Sequence, residues 1–292
     1  MRRALSLLVL AMLLLPASAF SSVLCVPGSV SEVVGDDMII THPGIAGGQQ
    51  VYVGTFNAYI DCTTPTLVYC IIAGMQLCYP AEYCQASNVT WQEVIWILNN
   101  YYPAVPGMPS ELSTDVQRKA AVQLAIWHFT DGIDISSGGS DPVVFAAANA
   151  IVAAAQTAPV PSTPTTLELS PYTDRPMPGD HVTVTATLYD QDGNVMPYYP
   201  ITWAITNDGG GSGLTDENGQ YTVNWIESAY GNDRTHFTVG YTIPIGLRWA
   251  RSGCQELIQG AIAPGQVDAT WGPELPVGAS RTTWGGIKTL YR

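Results

Sequence analysis

A glutamine in the middle of an apolar helical stripe is the feature that most restricts this chain. In the stretch Thr114–Gly132, TDVQRKAAVQLAIWHFTDG, Val116, Ala120, Gln123 and Trp127 recur at spacings of four, three and four, which one face of an α-helix brings together. A carboxamide placed there must find hydrogen-bond partners or lose roughly 2–7 kcal/mol to desolvation. The plainest partner is a neighbouring backbone group or the helix edge. Thr114-x-x-Gln117 is a capping box for the start of this helix, and Gly132 offers a left-handed stop.

The elements around it read as strands followed by helices. From Val23 to about Thr90 the text is β, with runs at Met38 to Ile40, Gln50 to Phe56 and Thr66 to Ile72 between Pro-Gly, Gly-Gly and Thr-Thr-Pro breaks. His42 stands in a Thr-His-Pro-Gly turn and reads as solvated. Asn88-Val89-Thr90 is a glycosylation sequon, but Thr90-x-x-Glu93 makes it a helix cap opening a short buried helix through Val94, Ile97 and Leu98. That helix stops at Asn99-Asn100-Tyr101-Tyr102-Pro103. Asp141-Pro142 opens an alanine-rich third helix to about Gln156, with Pro142 suited to the first helical position. Residues 20–156 therefore form an α+β domain.

A basic start at Arg2 and Arg3, an apolar run from Ala4 to Leu15 and Ala17-Ser18-Ala19 make residues 1–19 a signal peptide. No later segment is apolar enough to span a bilayer. Export places the six cysteines where pairing is the default. Cys62, Cys70, Cys78 and Cys84 crowd together at spacings of eight, eight and six, which lack the Cys-x-x-Cys knuckles of structural zinc sites. No metal or cofactor is expected. With 24 acidic against 11 basic residues, the net charge of −13 repels phosphate backbones, so nucleic acid is not expected as a partner.

Residues 157–166, TAPVPSTPTT, rich in proline and small side chains, read as a linker. Beyond it the period changes to two. Thr166 to Leu169, His181 to Tyr189, Ile201 to Ile205, Tyr221 to Trp225 and His236 to Thr242 alternate between turns such as Asp192-Gly193-Asn194 and Asn218-Gly219. That spacing predicts an all-β sandwich over 167–272, with Gly246 to Trp271 supplying its last strands and Cys254 among them. The Asp190-x-Asp192-Gly193 piece lacks the acidic residue that closes a calcium loop and reads as a hairpin turn. Residues 273–292 form a tail without assignment.

Val122-Gln123-Leu124-Ala125-Ile126-Trp127, with Val68-Tyr69-Cys70-Ile71 before it, resembles the bacterial thioester domains of surface adhesins. Pro178 to Ala186, Asp190 to Asn194 and Thr215 to Gly219 resemble the bacterial immunoglobulin-like modules of invasin and intimin. The first resemblance implies that the Gln123 carbonyl is bonded to the Cys70 sulfur, in a pocket walled by Tyr69, Trp127, Tyr101 and Tyr102. An amine, from a protein lysine or a polyamine, would attack that carbonyl and release Cys70. The product is an amide that does not reverse, so the resemblance implies a secreted or cell-surface adhesin that binds once, and not an enzyme. A thioester leaves five cysteines. Disulfides among Cys25, Cys62, Cys78 and Cys84 are expected, with Cys254 as the free thiol.

Two rivals stand beside this. One is a disulfide-stabilised envelope or stalk protein without a reactive bond. The other is a cysteine enzyme using His128 or His42, which has no Cys–His pair in a recognisable setting; His128 points about 100 degrees away from Trp127.

Overall fold

A computed structural model describes residues 22–29, 38–171, 176–206, 209–228 and 234–272. The expected signal peptide and the tail lie outside the described residues. The chain divides into two compact units, one of residues 1–158 with 245–261 and one of 159–244 with 262–292. The first break falls inside the proline-rich stretch.

In the first unit the strands are β1 (Val23–Val26), β2 (Met38–Thr41), β3 (Gln50–Val53), β4 (Phe56–Ile60), β5 (Thr64–Cys70) and β6 (Ala81–Asn88). They are followed by helices α1 (Gln92–Asn100), α2 (Asp115–Thr130) and α3 (Pro142–Gln156). The predicted run from Gln50 to Phe56 is broken at Gly54-Thr55, where β3 ends and β4 starts. β2 and β3 form a separate two-stranded ribbon.

The other strands use a segment that the sequence pattern assigns to the sandwich. The strands β12 (Thr235–Ala250) and β13 (Leu257–Trp271) contain the unit boundaries, and residues 245–261 belong to the first unit. The end of β12 pairs with β6, from Leu247↔Asn88 to Ala250↔Cys84. The start of β13 pairs with β5 at Leu257↔Cys70 and Ile258↔Tyr69. With β5–β4, β4–β1, β1–β6 and β12–β13 also paired, six strands close into a ring. Closure removes the free edges that short strands would otherwise expose.

α1 is bolted to this returning hairpin. Asn99 Nδ2 donates to the Ile245 carbonyl at 3.1 Å, and Val89 N–H to the Gly246 carbonyl at 2.7 Å. Glycine is required where the two come closest, since a Cβ at position 260 would lie 2.5 Å from the Leu98 carbonyl oxygen. The predicted cap at Thr90 is not formed: the N-cap position is Trp91, and no side chain caps it. The Val89 N–H bond to the Gly246 carbonyl holds the chain just before this end of the helix instead.

The other two helices start as their sequences direct. Thr114 Oγ1 accepts from Gln117 N–H at 3.2 Å, and Asp141 Oδ1 accepts from Val143 and Val144 N–H. Every residue of α2 from Ala120 to Trp127 is buried, as expected of a helix covered on all sides. α1, α3, β2, β3 and β5 all pack on it. His42 is not solvated. It is 2% exposed, stacks on Phe145 and bonds Ser137 Oγ through Nε2 at 3.0 Å, because residues a hundred positions on fold over its turn.

Two disulfides lie in this unit, Cys25–Cys62 and Cys78–Cys254. The expectation of a free Cys254 is therefore wrong, and Cys84, exposed on β6, carries the thiol instead. The error follows from the fold: Cys254 lies in the turn between β12 and β13, which returns to the first unit.

The second unit has β7 (Pro164–Ser170), β8 (His181–Asp190), β9 (Pro200–Ile205), β10 (Gly209–Leu214) and β11 (Gln220–Ile226) with the remaining parts of β12 and β13. One sheet is β11-β8-β7, and β10, β9 and β12 are successive neighbours in the other. Leu167, Val184, Leu188 and Trp225 from the first join Ile201, Phe237 and Val239 from the second in one buried cluster. The Asp190 turn is a hairpin, its Oδ1 accepting from Asp192 and Asn194 N–H at 2.9 Å each. Glycine-rich β10 has no alternation and escapes the pattern.

Replacing Gly260 by alanine should destabilise the first unit by about 1–3 kcal/mol, the usual cost of overpacking. Urea unfolding followed by tryptophan fluorescence measures it, and an unchanged midpoint would contradict the close approach of β13 to α1.

Candidate functional site

β5 carries Cys70 as its last residue, and α2 carries Gln123 half-way along. The two meet. Cys70 N–H donates to Gln123 Oε1 at 2.9 Å, and Gln123 Nε2 donates to the Cys70 carbonyl at 2.9 Å. The carboxamide thus pairs with the backbone N–H and C=O of one residue in the manner of a neighbouring strand, which answers the desolvation cost of burying it. The Cys70 thiol lies 3.4 Å from the same Oε1. Gln123 is 0% exposed and Cys70 6%, so bulk water is kept from both.

This arrangement has the parts of an acyl transfer. A sulfur nucleophile stands beside a carboxamide whose oxygen is polarised by a backbone N–H, the donor that an oxyanion would use. The nitrogen that must leave is held by a carbonyl. Attack of sulfur on Cδ would form a C–S bond, break C–N and release ammonia. The thiol proton would leave on that ammonia.

The flanks of Cys70 are held on both sides. Phe56↔Val68 and Leu257↔Cys70 fix β5 between β4 and β13. Ile71 N–H donates to the Glu256 carbonyl at 3.2 Å. From α2, Thr130 Oγ1 donates to the Ile71 carbonyl at 2.6 Å, and Asp131 Oδ2 accepts from Ala73 N–H at 3.0 Å. Thr130 and Asp131 were missed as site residues. A signal was present: Thr130 is seven positions after Gln123, about 20 degrees away on the helical wheel and so on the same face.

The aromatic residues are all buried or half-buried, in different ways. Tyr69 is fully buried, and strand alternation sends it to the opposite face of β5 from Cys70. Its hydroxyl donates to the Tyr102 carbonyl at 2.6 Å, tying the end of α1 to β5. Tyr101 packs edge-on against Trp96. Burial pushes the Tyr101 and Tyr102 phenols above their ordinary pKa, with the charges of Glu111 and Asp115 respectively adding to it, so both stay neutral. Trp127 lies one turn beyond Gln123 and is 1% exposed. His128 is turned away, with Nδ1 2.9 Å from the Ile133 carbonyl, and His42 bonds Ser137.

The chain is similar to known proteins. Residues 67–157, from β5 to the end of α3, match the family model described as "TED: Thioester domain". The thioester domain of the Enterococcus faecium TIE86 protein superposes with a TM-score of 0.51 at 10% identity, covering 88% of this chain and 98% of that one. The Bacillus anthracis TIE protein gives 0.52 at 11% identity, over 86% of this chain and 49% of its own. The match therefore lies within the first unit and spans both Cys70 and Gln123. Thioester domains bind covalently once and are not turnover enzymes. No curated protein matches the sequence.

Within the first unit the amide form of Gln123 should itself contribute to stability. In a Cys70→Ala background, where no acyl transfer is possible, Gln123→Met removes the two hydrogen bonds that the carboxamide makes to the residue 70 N–H and carbonyl. The expected loss is about 1–3 kcal/mol, read from chemical denaturation; no loss would mean that those groups find other partners.

Proposed function

We propose that this protein is an exported adhesin whose thioester domain captures amine-bearing targets covalently through a bond between Cys70 Sγ and Gln123 Cδ. The observation that carries the reading is the buried pairing of Gln123 with the Cys70 peptide, which brings Sγ within 3.4 Å of Oε1. The stored bond is an acyl donor. A deprotonated amine attacks the Gln123 carbonyl, a C–N bond forms, the C–S bond breaks, and the amine proton passes to the released Cys70 sulfur. Because the product is an amide, retention of the target no longer depends on a large interface. Trp127, one turn beyond Gln123 and buried, supplies apolar bulk on the same helix, while Tyr69 on the far face of β5 ties the strand to the end of α1 through the Tyr102 carbonyl.

The partner is a lysine side chain of a surface protein or a polyamine, and the acidic balance of the chain favours cationic ligands over anionic ones. Residues 1–19 direct export, and the two disulfides fit an oxidising compartment. No helix among the described residues is long and apolar enough to cross a membrane. The second unit, two sheets over one buried cluster, serves as an immunoglobulin-like spacer of the invasin type.

Intact mass of the purified, folded protein tests this reading. The expected result is a deficit of one ammonia beyond that explained by disulfides, absent in Gln123→Ala and in Cys70→Ala, with methylamine adding to the wild type alone. A mass accounted for by disulfides only, with no methylamine uptake, would leave a disulfide-stabilised structural protein. Repeated turnover of an amine or peptide would overturn the single-use mechanism.

A further inference from the structure

We propose that Thr130 and Asp131, at the last turn of α2, are positioning residues that hold Cys70 in register with Gln123 and so govern formation of the thioester. The inference rests on the thioester reading above and extends it to two residues outside the reacting pair. A bond between a strand end and a mid-helix side chain forms only if the strand cannot slide along the helix. The Cys70 peptide is held by Gln123 itself, but those bonds must change when the carboxamide loses its nitrogen. Nε2 leaves, and with it the hydrogen bond to the Cys70 carbonyl. Something else must keep β5 against α2 during the step.

The last turn of α2 does so. Thr130 Oγ1 has two acceptors within reach, its own helix at Ile126 O, 3.0 Å away, and Ile71 O at 2.6 Å. A threonine inside a helix ordinarily bonds back to the carbonyl four residues earlier. Here the shorter contact crosses to the residue after Cys70.

Asp131 breaks a local rule. It is the C-cap residue of α2, and a carboxylate at that end faces the negative pole of the helix dipole. What the acid gains there is the Ala73 N–H at 3.0 Å. A residue that violates local preference while gripping a segment near a reactive group marks a functional constraint. Together the two side chains grip Ile71 and Ala73, while Glu256 O grips Ile71 N–H from the opposite strand. None of these bonds involves an atom that the reaction changes.

The test compares wild type, Thr130→Val, Thr130→Ser, Asp131→Ala and Asp131→Asn. Three quantities are read: the fraction of folded molecules lacking one ammonia, the rate of methylamine addition, and the thermal midpoint. Thr130→Val keeps the shape and removes the donor. It should lower the fraction carrying the bond by about tenfold, within the range that a sub-ångström misplacement costs a transfer step. Asp131→Ala, at an exposed position where folding is spared, should lower it severalfold. Thr130→Ser and Asp131→Asn, which keep a donor and an acceptor, should restore it. If Thr130→Val and Asp131→Ala lower the midpoint yet carry the bond in the wild-type fraction and react with methylamine at the wild-type rate, the latch is merely structural and the proposal is overturned. A wild type without the ammonia deficit would instead defeat the thioester reading, and the proposal with it.

Discussion

The structure depends on one polar contact in a dry place, the carboxamide of Gln123 laid along the peptide of Cys70. A buried amide that failed to find such partners would cost several kcal/mol, a large share of what a domain has to spare. Either the helix and the strand end meet in this register, or the core cannot close around α2. The neighbouring elements follow from that demand. β5 must be fixed laterally, and β4 and β13 flank it. The helix must be enclosed, and α1, α3 and the β2–β3 ribbon pack on it.

Much of this is local and could be read from the chain. Thr114 and Asp141 cap their helices as their sequences direct, since a cap is decided within four residues. The strands of the second unit other than β10 follow from period-two alternation. What could not be read is where distant pieces return. Residues 245–261 alternate like their neighbours, and alternation says which face is buried without saying against which sheet. The ring of the first unit was therefore invisible, and with it the pairing of Cys254 with Cys78. His42 was misjudged for the same reason, since Ser137 and Phe145 reach it from far along the sequence.

The candidate site was more legible than the fold around it. A polar residue in an apolar stripe is a local anomaly with a calculable cost, so Gln123 stood out by itself. Cys70 did not. Nothing in the spacing of four crowded cysteines separates it from Cys62, Cys78 or Cys84; only the resemblance of Val68-Tyr69-Cys70-Ile71 to a known strand did so. Thr130 lay in plain view on the Gln123 face, but a threonine near a helix end has an ordinary explanation in its own backbone, and only the shorter bond to Ile71 displaces it.

The disulfides and the Cys70 sulfur share one problem, how to keep six thiols from pairing indiscriminately. Burial solves it. Cys70 is at the inner end of β5 with its sulfur against Gln123, so the enclosure that shuts out water also shuts out a second thiol. Cys78 follows eight residues later on a segment already tied back, Gln255 N–H donating to the Gln76 carbonyl at 3.0 Å, and joins Cys254 there. The cross-link therefore joins the same two segments that frame Cys70, the one leaving β5 and the one entering β13. A covalent tie at the outer end and a hydrogen-bonded ladder at the inner end leave those segments little freedom to part. The contact between β5 and α2 needs that restraint, because the two hydrogen bonds between Gln123 and Cys70 keep their geometry only while the strand end stays in register with the helix.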